Sequence, residues 1–532
     1  MTRLSFRPLP NVEGEMYTKI KNKVFSVYSS GHITDKAKII EICLLIYKEH
    51  EITLEESISQ LNIYELVEFM LFQYEEYAVQ NLLYQSGKLS REQEEDWLSY
   101  ASHSRRGIKY LLELLCKEHN NLDHEDKIEL SENESSEVIS KIFISIEEMC
   151  SSYMRVDGYK FLVDSLDLHL DISKYTYFYV PQDLDACNII DIRNERNGIH
   201  SLITGLPYGI DINKHSLVLS PSFKDHLGLT YKELITFLYN YISNQKHPVT
   251  LVEKREVIEE LQQRYSLSCE QATKVIQGFS VRSVNLKDRL LYSPKQEHRA
   301  YHRGFFEFTR NGVPSLFFSK TMALEALGIL TNNACYQKLP EDWKDNAIEN
   351  QLTTLSNNAG KWFEDILHDN LSLIGIKSIK SIKSIKSYNC QEKKKDLPSD
   401  VGEIDFIGYF PEEFAIFVIE AKNVRFNTEP RLYRDDLSKF IYGKKSYSEK
   451  FIKKCQWVVD NIELVVSELN QQGVSIDKVR KVYKVMVTLT PSPVERKISK
   501  FSCINIVSFV NAIKSKDLQD LSSIDVDYEF CD

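Results

Sequence analysis

Apolar residues recur at three- and four-residue spacing through the first part of the chain. Ile39, Ile40, Ile42, Leu44, Leu45 and Ile46 form one such segment. Leu66, Phe69, Met70, Phe72 and Tyr74 form a second, and Ile108, Leu111, Leu112, Leu114 and Leu115 a third. Long amphipathic runs of this kind predict a helical bundle over about 34–118. The stretch 120–137 is polar and acidic, with Asp123-His124-Glu125-Asp126 in it, and predicts a solvated loop at a domain boundary. Helical spacing resumes over 138–170. Three short runs, 175–180, 189–192 and 216–219, then read as strands between Gly, Pro and Asn turns. Further helices are expected at 231–242, 252–265, 269–279 and 319–330. The pair 252–265 and 269–279 is joined by Ser266-Leu267-Ser268. It reads as an αα-hairpin rather than a DNA-reading helix-turn-helix, because Glu253, Glu256, Glu259 and Glu260 line its first helix.

The order of elements sharpens after residue 356. Asn357 and Asn358 fit the cap of a helix whose apolar face carries Trp362, Phe363, Ile366, Leu367, Leu371 and Ile374, with Glu364 at its edge. Next, Ile-Lys-Ser repeats from Ile376 to Ser387 with a period of three, which matches neither a helix nor a strand stripe. A lysine-rich loop leading into a strand near Cys390 is expected, with Lys393, Lys394 and Lys395 extending the charge. Two apolar runs follow, Gly402-Glu403-Ile404-Asp405-Phe406-Ile407-Gly408 and Phe417-Val418-Ile419-Glu420-Ala421-Lys422, around Pro411-Glu412-Glu413. They predict a hairpin. Strand alternation puts Glu420 and Lys422 on one face, and pairing brings Asp405 close to both. A long helix over 446–471 should turn Phe451, Cys455, Val458, Val459, Ile462, Val465, Val466 and Leu469 inward. Strands at 482–489 and 504–507 complete the set.

Composition narrows the class. A chain of 532 residues exceeds a single core, and the pattern divides it into a helical domain 1–137, a mixed helical and short-strand domain 138–350, and a C-terminal domain 351–532. The net charge of −11 argues against a nucleic-acid-coated protein while leaving room for a local basic patch. The ten cysteines are scattered, without a CxxC pair or zinc-finger spacing, as in a reduced, intracellular protein. The N-terminal residues contain no apolar signal core, and no segment reaches the roughly 20 apolar residues of a membrane span. A cytoplasmic protein without a membrane partner is expected.

The chemistry concentrates on the hairpin. Two carboxylates and an amine converging on a small sheet make a candidate metal site, although either fragment alone also fits an ordinary edge strand with an Asp405–Lys422 salt bridge. With Glu364 upstream on a helix, Asp405 and then Glu420-Ala421-Lys422 on successive strands, the region 357–514 resembles the PD-(D/E)XK nuclease superfamily, of restriction-endonuclease-like fold. Gly402-Glu403-Ile404 replaces the proline that often precedes the first aspartate. The pattern along the chain predicts a multidomain α+β protein, mostly helical in its N-terminal two-thirds, and the resemblance implies a C-terminal mixed sheet flanked by helices. It implies Asp405, Glu420, Glu364 and the Ala421 carbonyl around Mg²⁺ or Mn²⁺, hard cations suited to oxygen ligands. Lys422 would orient the attacking water and offset charge on the phosphate.

Around this motif Arg425, Arg431, Arg434, Lys439, Lys444, Lys445, Lys450, Lys453 and Lys454 form a basic belt suited to a phosphate backbone, and Gln456 is expected to face the site. A second basic neighbourhood contains Arg282, Lys287, Arg289, Lys295, Arg299, Arg303 and Arg310. His298 and His302 stand four apart within it, without the acidic residue of a zincin motif. This segment reads as a polar or phosphate-contacting loop. The function expected is metal-dependent endonucleolytic hydrolysis, of DNA first and RNA second, as in bacterial anti-phage effectors. The helical region would serve recognition, regulation or assembly, through a homo-oligomer or a partner protein. The alternatives are a non-catalytic nucleic-acid-binding or scaffold protein that keeps the fold, or a nuclease of DNA repair or transposition.

Overall fold

The computed structural model describes residues 6–118, 130–161, 163, 165–171, 178–180, 192–286, 299–386, 394–425, 430–443 and 446–529. The chain divides into two compact units, Met1–Cys187 with Gly209–Leu355, and Asn188–Tyr208 with Ser356–Asp532. The first unit opens with α1 (Pro10–Val27), β1 (Gly31–Ile33), α2 (Lys36–Ile58), α3 (Ile63–Gln85), α4 (Arg91–Glu118), α5 (Glu132–Phe161), β2 (Asp167–Leu170) and β3 (Phe178–Val180). After α6 (Ile192–Leu202), which belongs to the second unit, it resumes with α7 (Ile212–Leu227), α8 (Tyr231–Ser243), β4 (Val249–Glu253), α9 (Lys254–Tyr265) and α10 (Cys269–Gly278). Then come β5 (Ser280–Val281), β6 (Phe305–Arg310), β7 (Val313–Ser319) and α11 (Lys320–Asn333).

Several helices start where the sequence supplies a cap. Asp35 accepts from the Ala37 N–H before α2, and Asn62 from Tyr64 and Glu65 before α3. Thr230 with Glu233, and Ser268 with Gln271, close capping boxes before α8 and α10. The expected bundle is present: Leu66, Met70, Leu111, Leu115, Ile142, Ile146 and Met149 share one core. Gly107 lets α4 approach α5, since a Cβ there would lie 2.9 Å from Ile146 Cγ1. Phe306, Phe308 and Phe317 join the same core from a four-stranded sheet of order β4-β7-β6-β5.

Three expectations change in this unit, and a fourth falls at α6. The boundary expected at 137/138 falls inside α5, whose Ile142, Ile146 and Met149 pack into the core of the earlier helices. Residues 216–219 belong to α7 rather than a strand; His215, Leu219, Ser222 and Phe223 are its buried stripe, while Leu217 is 83% exposed. Of the run 189–192, only Ile192 is described, and it begins α6. In the neighbourhood expected to hold a polar or phosphate-contacting loop, Arg299, His302 and Arg303 are buried, while Arg310 is exposed on β6. Arg299 pairs with Glu113 at 3.1 Å, Arg303 donates to the Gln277 and Ser280 carbonyls, and the His302 ring lies 2.7 Å from the Asn333 amide. These cations complete the core's polar bonding instead of facing a ligand. His298, Lys287, Arg289 and Lys295 lie outside the described residues. Among the described residues no helix is long and apolar enough to cross a membrane.

The second unit contains most of α12 (Asn346–Leu373), then β8 (Lys377–Ile382), β9 (Ser384–Lys386), β10 (Lys394–Asp396), β11 (Ile404–Phe410), β12 (Ala415–Lys422) and α13 (Pro430–Leu437). It ends with α14 (Tyr447–Asp460), α15 (Ile462–Gln471), β13 (Lys478–Thr488), β14 (Ser502–Asn505), α16 (Ile506–Ser515) and β15 (Ser523–Glu529). The main sheet has the order β14-β13-β12-β11-β8, with β15 also on β13. β12 runs antiparallel to β11 and parallel to β13, so α14 and α15 form the crossover that a parallel pair requires. The run Ala415-Ile416-Phe417-Val418-Ile419 is apolar without alternation because β12 is central and covered on both faces. Phe363, Leu367 and Leu371 of α12 cover the face carrying Phe406, Phe417, Ile419 and Ala421, together with Phe509 and Ile513 of α16.

Here too the structure corrects particular expectations. Asn357 and Asn358 do not cap a helix. The buried stripe starts earlier, at Ile348, Leu352, Leu355 and Ala359, and Asp345 Oδ1 accepts from the Ile348 N–H. The Ile-Lys-Ser tract is not a loop: its start is β8, an edge strand on β11, with Ile379 opposite Ile407 and Ile382 opposite Ile404. Ser381 sits at φ 58, so strict alternation is not required of the sequence there, and the lysines suit an edge that should not recruit another strand. The strand expected near Cys390 lies outside the described residues. The single helix expected over 446–471 is two helices, broken at Asn461 (φ −124, ψ 34), whose side chain donates to the Trp457 carbonyl.

Candidate active site

The β11–β12 register pairs Phe406 with Ile419, which places Asp405 opposite Glu420 at the end of the hairpin. A 3₁₀ turn, Pro411–Glu413, fixes that register. Asp405, Glu420 and Lys422 therefore share the face opposite to α12. Lys422 Nζ lies 2.8 Å from Glu420 Oε1 and 3.8 Å from Asp405 Oδ2. The Ala421 N–H donates to Asp405 Oδ2 at 2.9 Å, tying the two strand ends together, while the Ala421 side chain sits in the core beneath. The Lys422 ammonium also lies 5.2 Å from the centroid of the Tyr447 ring.

The cluster includes a residue that the sequence reading assigned elsewhere. Lys454, expected in the basic belt, is only 8% exposed and donates to Glu420 Oε2 at 2.6 Å. The inward stripe of α14 runs through Phe451, Lys454, Cys455 and Val458. A lysine on an apolar helical stripe is rare without a partner, and that was the available signal. Gln456, expected to face the site, is exposed and bonds Asp460 at 2.7 Å, because a step of about 100° per residue turns position 456 away from the stripe. Tyr447, at the first turn of α14, was also missed.

Glu364 stands outside the tight cluster. It rises from α12, which covers the other face of the sheet, and the three carboxylates do not all lie within 4.8 Å of one another. Electrostatics still links them. Burial and then the Asp405 charge push the Glu364 carboxyl up, against the pull of Lys422. Burial, followed by the Glu420 charge, also pushes Asp405 up. Glu420 is held low despite its burial, because Lys422 and Lys454 both bond it. Lys422 is held high: its burial opposes the charge, but Glu420 and Asp405 more than offset that.

Counting Glu364, Asp405 and Glu420 against Lys422 and Lys454 gives three negative charges and two positive, a net −1. Glu420 takes a hydrogen bond from each lysine, while Asp405, which burial and then Glu420 disfavour as an anion, has only the 3.8 Å pairing with Lys422. A donor set of carboxylate oxygens without thiolate or imidazole, holding surplus negative charge, fits a hard divalent cation.

The remaining belt residues lie in four settings. Arg425 is half-buried after β12, and Lys450 is exposed on α14. Lys453 is exposed and pairs with Asp400 at 3.6 Å. Arg431 and Arg434 are on α13, where Arg434 is exposed beside Asp435. Lys439 is exposed in the π-helical turn Ser438–Tyr442; Lys444 and Lys445 lie outside the described residues. Comparisons with protein-family models, curated proteins and solved structures find no match to this chain.

Proposed function

We propose that the second unit is a divalent-metal-dependent phosphodiester hydrolase of the restriction-endonuclease-like class, acting on DNA. The observation that carries this reading is the cross-strand grouping of Asp405 with Glu420 and Lys422 on one face of the β11–β12 hairpin. Asp405, Glu420 and Glu364 would hold Mg²⁺ or Mn²⁺, with the Ala421 carbonyl at the same strand end. Bound there, the metal would lower the pKa of a water and neutralise charge on the phosphoryl oxygens.

The chain's own residues supply the rest. Lys422 is kept protonated by Glu420 and Asp405, so it offers a fixed positive charge to a phosphate oxygen and can orient the attacking water. Lys454 holds the second oxygen of Glu420 and so sets the direction of that carboxylate. Exposed Lys450, Lys453 and Arg434 would contact the phosphate backbone. A large helical region joined to such a unit is the plan of bacterial anti-phage effectors, an argument by analogy.

One observation favours a second reading. Both Glu420 oxygens are already bonded to lysines, as in a structural salt-bridge triad of a scaffold that binds nucleic acid without cutting it. Incubating the protein with supercoiled plasmid, linear duplex, single-stranded DNA and RNA, each with Mg²⁺, Mn²⁺ or chelator, separates the two. Chelator-sensitive cleavage of DNA supports the hydrolase. Binding without cleavage under every condition supports the scaffold, and cleavage confined to RNA changes the substrate.

A further inference from the structure

A second constellation of ligating side chains lies in the first unit and takes no part in the proposed hydrolysis. Alternation on β2 puts Asp167 and His169 on one face, while Leu168 and Leu170 turn into the core. The antiparallel register of β1 sets His32 directly opposite His169. The two imidazoles stack, with centroids 4.4 Å apart and planes 17° from parallel. Both offer Nε2 to the same carboxylate oxygen: His32 Nε2 touches Asp167 Oδ1, and His169 Nε2 is 3.5 Å from it. Yet Asp167 Oδ1 is buried and accepts no hydrogen bond among the described residues, so neither ring N–H is aligned on it. A buried acceptor held between two ring nitrogens with no N–H aligned on it is arranged as a ligand set rather than as a hydrogen-bonded triad.

We propose that His32, Asp167 and His169 form a Zn²⁺ site on the β1–β2 ribbon. The three donor atoms all lie within 4.8 Å of one another, and no other such trio of His, Cys, Asp or Glu occurs among the described residues. Zinc bonds of 2.0–2.2 Å in tetrahedral geometry separate ligand atoms by about 3.3–3.6 Å, so the His169–Asp167 edge already fits and the others need only small side-chain rotations. Two imidazoles and one carboxylate select a borderline ion such as zinc over Mg²⁺ or Ca²⁺. The rings are about half exposed, at 49% for His32 and 52% for His169, which leaves an approach for the ion and room for water as a further ligand. The site also joins positions 135 residues apart, since 167 − 32 = 135, across strands only three and four residues long.

Calorimetric titration of the full-length protein, stripped with chelator, by ZnCl₂ is the test. Wild type and Asp405→Asn should bind one equivalent that His32→Ala and His169→Ala lose or bind at least about tenfold more weakly. Unchanged stoichiometry and affinity in both histidine variants would overturn the site. Should the alanine variants lose their native near-ultraviolet circular dichroism, the Asp405→Asn protein decides with Co²⁺. Intense visible bands of a four-coordinate nitrogen–oxygen site support the proposal, and their absence overturns it.

Discussion

The side chains around Glu420 bind one another so closely that single substitutions there should be felt in both stability and activity. Lys454 is buried and bonded to a buried carboxylate, so Lys454→Ala removes one of the two cations that keep Glu420 ionised. The variant should lose about 2 kcal/mol of stability in urea denaturation, the cost of one charged hydrogen bond inside the protein. It should also lose cleavage through a misdirected Glu420. Asp405 and Glu420 respond oppositely to pH. The folded state depresses Glu420, so its stabilising contribution is present above the unfolded carboxyl value and is lost as pH falls through the folded one. It raises Asp405, so ionised Asp405 costs stability at neutral pH, and this cost fades as pH falls through its folded value. Asp405→Asn should therefore melt higher than wild type at pH 7.5, with the gain shrinking in acid, while cleavage is lost. A variant that melts lower at pH 7.5 would show that Lys422 and Lys454 outweigh burial at Asp405.

Whole elements were legible in proportion to how far their own side chains specify them. The β11–β12 hairpin was readable because two apolar runs, an intervening proline turn and the charges placed near the strand ends all gave the same register. Lys454 was left in the basic belt although it stands three residues after Phe451 and four before Val458, on the inward stripe, where Lys450 and Lys453 do not fall. The start of α12 was misread because Asn357 and Asn358 imitate a cap, although the apolar stripe already runs through Leu352 and Leu355. β8 escaped recognition because an edge strand with a left-handed Ser381 need not alternate, and β6 and β7 were missed beside the stronger helical signal of α11. Gly408 shows how closely β8 and α12's exit approach β11: a Cβ there would lie 2.6 Å from Ile376 Cγ2 and 3.2 Å from Ser378 Cβ. Gly408→Ala should cost about 1–3 kcal/mol in chemical denaturation, the price of overpacking a filled strand interface.

At the scale of the molecule, the acidic chain keeps several of its cations for internal pairing. Arg299 with Glu113, and Arg303 with Asp342, account for part of a neighbourhood that charge counting alone would have offered to nucleic acid. Glu113 is 1% exposed and also accepts the Ala300 N–H. Glu113→Ala would leave Arg299 buried without its carboxylate, so the first unit should lose about 3–5 kcal/mol, read as a lowered calorimetric transition. A full-length Glu113→Gln protein, which keeps an acceptor, should lose less. Neither residue belongs to the Asp405–Glu420–Lys422 cluster, which lies within the second unit.

Asp405, Glu420 and Lys422 are proposed to form a metal-dependent phosphodiesterase centre. The most direct measurement is conversion of supercoiled plasmid to nicked or linear DNA in Mg²⁺, by wild type and by Lys422→Met, which preserves side-chain bulk. Chelator-sensitive cleavage by wild type is expected, with a loss of at least about 100-fold in the variant, the scale of removing one preorganised charge from a transition state. Equal rates from the two proteins, or no cleavage by wild type on any nucleic acid with either metal, would contradict the proposal.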